Sequence, residues 1–147
     1  MTLTITPAKA ADIVAVADLD ATYYGDDSYN QGFLYQALAQ WPEGFWVAKS
    51  GRKVVGYAIT APGQHTEEAW LMTVVVAAEG RGQGLGKRLC QACIDSARAA
   101  ERKVIYLSVA PDNHVAVQLY QKLGFVTKRI EPGFFGPGQA RTVMQLA

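Results

Sequence analysis

The sequence has 147 residues, half of them hydrophobic, with 14 Lys and Arg against 13 Asp and Glu. That length holds one domain with a real core and leaves no room for two, so residues 1–147 are expected to form a single domain. A net charge of +1 gives no long-range field favouring nucleic acid or an anionic membrane, and two cysteines cannot make a disulfide framework.

The opening MTLTITPAKAAD has neither the basic nor the apolar region of a signal peptide. The longest apolar run, Ala69–Ala78, is too short to span a bilayer. A soluble, cytoplasmic protein is expected. Alternation over Leu3–Thr6 predicts a first strand, and Pro7 suits the start of a helix whose apolar face carries Ile13, Val16 and Leu19. Tyr23–Asn30 breaks that period and reads as a loop; a second helix through Phe33, Leu34 and Leu38 ends by Pro42. Phe45–Lys49 and Lys53–Thr60 predict a hairpin, followed by a loop to Glu68. Trp70–Ala77 reads as a strand buried on both faces. Leu85, Leu89, Cys93, Ile94 and Ala97 predict a helix, Val104–Val109 a buried strand, and Asn113 caps a helix that Gly124 terminates. Two strands, FVTKRI and RTVMQL, close the chain around the loop EPGFFGPGQ. An apolar strand, a helix and a second apolar strand in mid-chain point to a parallel crossover within a mixed α/β sheet.

The stretch RGQGLGKRL, Arg81–Leu89, joins the strand to the helix, as phosphate-binding turns do. It is no P-loop: the position five before Gly86-Lys87 is Arg81, and Arg88 replaces Ser or Thr. It is no dinucleotide fingerprint, because Lys87 stands where the third glycine belongs. Arg81, Gly84 and Gly86 do meet Arg/Gln-x-x-Gly-x-Gly, which by itself also fits a tight strand-to-helix turn. Further on, Asn113, Ala116, Leu119, Tyr120, Lys122, Gly124 and Phe125 meet N-x-x-A-x-x-L-Y-x-K-x-G-F in full.

With both motifs at this spacing, the sequence resembles the GNAT superfamily of N-acetyltransferases, well over residues 45–146 and by helix order before that. It feels nearest to ribosomal-protein N-terminal and polyamine-type members. The resemblance implies an acyl-CoA N-acyltransferase fold: a strand, two helices, three strands, a helix, a strand, a helix and two strands. It implies acetyl-CoA as donor and direct transfer to a primary amine, on a protein N-terminus, a lysine or a polyamine-like molecule. The main chain from Arg81 through Gly82, Gln83, Gly84, Leu85 and Gly86 to Lys87 would hold the pyrophosphate. The strand before it would carry a bulge and splay from Val104–Val109, so that Val74, Val75 and Val76 pair with the pantetheine arm. Tyr120 matches the general acid toward the coenzyme sulfur, and Asn113 a pantetheine contact.

The general base is where the sequence departs from the family. Trp70 and Ser108 occupy positions where relatives carry Glu, and neither is a carboxylate. Glu68 falls on the side of Trp70 in a regular strand and would act through water, as would Glu67 or His65; bulk water is the alternative. That gap leaves a second reading open, a non-catalytic acyl-CoA-binding or partner-binding domain on the same fold. For the acceptor, Tyr24, Asp26 and Asp27 in the early loop suit a cationic amine, and Phe134 and Phe135 would wall the groove or form a homodimer contact. Cys90 and Cys93 lie inside the helix at i and i+3, as small hydrophobes would, and no metal site is expected.

Overall fold

The computed structural model describes residues 2–147. Its elements are β1 (Leu3–Pro7), α1 (Ile13–Tyr24), α2 (Gln31–Gln40), β2 (Phe45–Ser50), β3 (Lys53–Pro62), β4 (Glu68–Val76), α3 (Leu85–Ala99), β5 (Val104–Val109), α4 (His114–Lys122), β6 (Val126–Glu131) and β7 (Arg141–Leu146). The order is the one expected from sequence. One seven-stranded sheet runs β1-β2-β3-β4-β5-β7-β6. Among the described residues only β4 and β5 are parallel, joined by α3 as the crossover.

The helices lie on opposite faces of this sheet. Leu85, Leu89 and Cys93, spaced by four, bury with Ile94 one stripe of α3 on the side of Gly56 and Thr60. Ile13, Val16 and Ala17 bury α1 on the other side, where the α1 carboxylate Asp20 meets Tyr57 of β3. Local chemistry sets the helix ends. Gly25, at φ 54, caps α1, and the Asn30 side chain accepts from the Phe33 N–H at 2.8 Å to start α2.

Three expectations are corrected. Pro7 ends β1 opposite Trp46 instead of opening a helix; an edge strand tolerates its missing N–H. Tyr23 and Tyr24 belong to the last turn of α1, not to a loop, because the helix runs on to the glycine at 25. And β4 begins at Glu68 and is not buried on both faces: Ala69, Leu71 and Val75 are buried, while Met72, Val74 and Val76 are only half-buried. The reason is a gap along one of its edges.

Candidate active site

The gap opens at a defined point. β4 and β5 pair only at Glu68–Val104, Ala69–Ile105 and Trp70–Tyr106, while β5 stays paired with β7 from Ile105 to Val109. On its other edge β4 holds β3, but Ile59 faces Thr73 and the next residue, Thr60, faces Leu71. Met72 is therefore the extra residue of a β-bulge. A bulge bends its strand and adds twist, which turns β4 away from β5 immediately past Trp70. Beyond it, Val74, Val75 and Val76 remain paired with Ala58, Tyr57 and Gly56, and their edge toward β5 carries no strand.

The glycine turn closes the wide end of this fork. Gly82 and Gly84 take φ of 79° and 71°, a left-handed backbone that other residues enter at a cost. α3 starts at Leu85 with no side-chain cap, and its first hydrogen bond is Arg88 N–H to the Gly84 carbonyl at 3.0 Å. The N–H groups of Leu85, Gly86 and Lys87 thus precede any intrahelical partner and point out of the positive end of the helix. Gly86 has a different reason to be glycine: a Cβ there would stand 3.3 Å from the Leu119 side chain of α4. Gln83 donates from Nε2 to the Glu79 carbonyl at 3.3 Å and braces the turn from outside. The Arg81 guanidinium lies 5.1 Å from the Tyr23 ring centroid, tying the turn to α1.

α4 lies beside the fork. Asn113 accepts from the Ala116 N–H at 3.2 Å, the cap expected of it. The Tyr120 ring packs edge-on against Phe125, with centroids 6.0 Å apart. Burial pushes the Tyr120 phenol well above its ordinary pKa, and its neighbours Cys90 on α3 and Tyr24 on α1 add to the shift. Those neighbours place the phenol between α3 and α1. The two cysteines themselves are free and buried, and burial raises both thiols, that of Cys93 to about 12.

On the α1 face an aromatic run follows the mouth of the fork. Tyr106 and Trp70 are 5.1 Å apart between centroids, Trp70 and Phe134 6.2 Å, and Phe134 and Phe135 5.2 Å. The Arg141 guanidinium sits 4.5 Å from the Phe135 centroid and also faces Tyr24. Tyr24, half exposed, stands across from this run beside Thr73. Arg141 thus links the predicted Tyr24 to the Phe134–Phe135 pair, while Asp26 and Asp27 are exposed on the turn after α1.

Glu68 sits at the closed end of the fork, opposite Val104, and its Oε1 accepts from the His65 N–H at 3.4 Å. About 13 Å of strand separates it from Met72, too far for its carboxylate to touch the bulge directly. Ser108 lies on β5 two residues past Tyr106, on the same face, opposite Val143. Sequence reasoning missed Asp20, Tyr57 and Thr73. A signal for the first was present: Asp20 follows Val16 by four and so falls on the apolar stripe of α1, where a lone carboxylate has to find partners.

Comparison with known proteins agrees with this geometry. The Acetyltransferase (GNAT) family matches residues 13–125. The chain is 35% identical over 127 residues to N-alpha-acetyltransferase RimI of Mycobacterium tuberculosis, covering 84% of this chain and 78% of that protein. It is 39% identical over 82 residues to "Probable N-acetyltransferase camello" of Xenopus laevis, but spans only 37% of that protein's length. Among solved structures, Ard1 from Thermoplasma volcanium superposes with a TM-score of 0.89 at 25% identity, covering 99% of this chain and 97% of that one.

Proposed function

This chain belongs to the GNAT acetyltransferase family, and on that premise we propose that it is an acetyl-CoA-dependent N-acetyltransferase acting on the α-amine of a protein or peptide N-terminus. The observation that carries the proposal is the fork beyond Trp70 and Tyr106, opening beside an uncapped helix start. The fork is a groove with one unpaired strand edge, which an extended polar arm would complete by main-chain hydrogen bonds at Val74, Val75 and Val76. The N–H groups from Gly82 to Lys87 suit a diphosphate at the far end of that arm; that of Arg81 already donates to the Ala78 carbonyl. Asn113 would contact the same arm from the start of α4.

Bound acetyl-CoA supplies a thioester carbon as the electrophile. A donor from the bulge at Met72 would stabilise the carbonyl oxygen as it gains charge. Tyr120, held protonated by burial, would give its proton to the departing thiolate. An N-terminal amine, with a pKa near about 8 against about 10.4 for lysine, is the easier one to present uncharged. That suits a site with no carboxylate beside the bulge, Glu68 acting at most through water. The relative from Mycobacterium tuberculosis is an N-alpha-acetyltransferase by name, which supports the same acceptor. Tyr24, Phe134 and Phe135 would border the peptide's first residues, with Asp26 and Asp27 at the rim.

The test is an acetyl-transfer screen over N-terminal peptides, lysine peptides, polyamines and aminoglycosides, with released CoA as readout. Turnover concentrated on N-terminal peptides is expected. Preferential turnover of lysine side chains or polyamines would refute the acceptor, and none at all would favour a binding domain on the same fold.

A further inference from the structure

Asp20 takes no part in the chemistry above, yet it is a carboxylate only 1% exposed within the apolar stripe of α1. No lysine or arginine pairs with it among the described residues. Its two oxygens instead accept from the Tyr57 phenol and from the Tyr29 N–H, the latter at 2.8 Å. A buried charge held only by neutral donors is costly to keep and calls for a reason.

The register of the sheet supplies one. Tyr57 lies opposite Val75 and Ile59 opposite Thr73, so Tyr57 and Thr73 share the α1 face of neighbouring strands. The Thr73 side chain stands beside both the Tyr57 and the Tyr24 phenols. Tyr24 is one helical turn beyond Asp20 and half exposed to the groove. Thr73 also adjoins the bulge at Met72, which the proposed function sets beside the reacting carbonyl. Tyr24, Thr73 and Tyr57 are all hydroxyls, each able to accept one proton while donating another, and they end on a group that only accepts.

We propose that, for the acetyl transfer on which this inference rests, Asp20 is a positioning residue that draws the proton of the attacking amine inward along Tyr24, Thr73 and Tyr57. As the C–N bond forms and the C–S bond breaks, the nitrogen gives one proton to the Tyr24 oxygen. Tyr24 passes its own to Thr73, Thr73 to Tyr57, and Tyr57 to Asp20, which becomes a neutral carboxylic acid. Tyr120 gives its own proton to the thiolate and regains one from water once the products have left. Asp20 then discharges to water along the same hydroxyls. The other groups facing the line are Tyr29 ahead of α2, Arg141 on β7 and Tyr120 on α4.

Thr73→Val removes the middle hydroxyl from a half-buried strand position while keeping the side chain's shape. On an N-terminal peptide that the wild type acetylates, it should lower kcat about tenfold to a hundredfold and leave the KM for acetyl-CoA unchanged. The acidic limb of kcat against pH should move upward, toward the pKa of the free amine. Thr73→Ser should restore both rate and limb, and Tyr57→Phe should repeat the Val phenotype. An active wild type with an unmoved limb in Thr73→Val, even alongside a lower Tm, overturns the relay and leaves the transferase reading intact. A wild type inactive on every amine overturns both.

Discussion

Trp70 and Tyr106 form the last pair that joins β4 to β5, and their rings lie 5.1 Å apart, tilted by 34°. They act as the crotch of the fork: on one side the two strands share hydrogen bonds, on the other the bulge at Met72 has turned β4 aside. The same Trp70 ring continues toward Phe134, so one residue both closes the fork and begins the aromatic run proposed to border the acceptor.

Trp70→Ala should therefore separate the two substrates. Losing a half-buried aromatic pair costs about 1 to 2 kcal/mol of stability. Peptide KM should rise about tenfold while acetyl-CoA KM stays within a factor of about two, a difference of about 1.4 kcal/mol that falls on the acceptor alone. Steady-state kinetics varying each substrate in turn checks this; an equal rise in both KM values would mean that the ring supports only the strands.

Gly84→Ala should weaken the donor site through the backbone. Nothing lies within 4 Å of a Cβ placed there, so space is not the obstacle; the φ of 71° is. An L-residue in that conformation costs about 1–2 kcal/mol. Relaxation of the turn would tilt the N–H groups of Leu85 and Gly86 out of line. Calorimetry should find acetyl-CoA affinity reduced by about tenfold, with the circular dichroism spectrum retained.

Tyr120→Phe should lower kcat by about a hundredfold and leave acetyl-CoA affinity unchanged. The pH dependence of the wild type carries a further sign. Burial raises the pKa of this phenol above 10, so its acid form, the form that donates, persists throughout the neutral and mildly alkaline range. Loss of kcat from ionisation of Tyr120 should therefore appear only above pH 10. A basic limb below pH 9 that disappears in Tyr120→Phe would contradict the assignment.

The thiols of Cys90 and Cys93 predict an alkaline weakness. Both have folded pKa values raised by burial above the ordinary 9.0, that of Cys93 to about 12. At neutral pH both states keep the proton and the contribution is complete. As pH climbs from 9 toward 12, the unfolded thiols ionise first, the unfolded state binds fewer protons, and stability falls. Tm measured from pH 7 to 10.5 should decline above about 8.5, and a Cys90→Ala, Cys93→Ala double variant should decline less steeply. With both sulfurs inaccessible, labelling by a thiol reagent should also be slow until the protein unfolds.

Much of the site was legible because its signals are local. Gly82 and Gly84 announce a left-handed turn, and the residue after them opens a helix whatever the rest of the chain does. Asn113 announces a cap, and Gly124 the end of α4. The acidic and aromatic residues proposed to surround the acceptor were only half legible. Phe134 and Phe135 gain their meaning from Trp70, more than sixty positions earlier in the chain, and Tyr24 proved to be helical because α1 continues to Gly25.

The sequence alone determined the order of elements, the parallel crossover and the helix start at Leu85, since periodicity, glycine and capping side chains act through sterics and hydrogen bonds within a few residues. The tertiary structure decided where the sheet divides and which polar groups meet inside it. AWLMTVVVAA carries no mark of a bulge; Met72 is extra only because Ile59 and Thr60 pair with residues two apart. Asp20 and Tyr57 are separated by 37 positions, and nothing in either neighbourhood foretells the other. Such partnerships depend on strand register and on which helix covers which face, properties that exist only once distant segments have packed together.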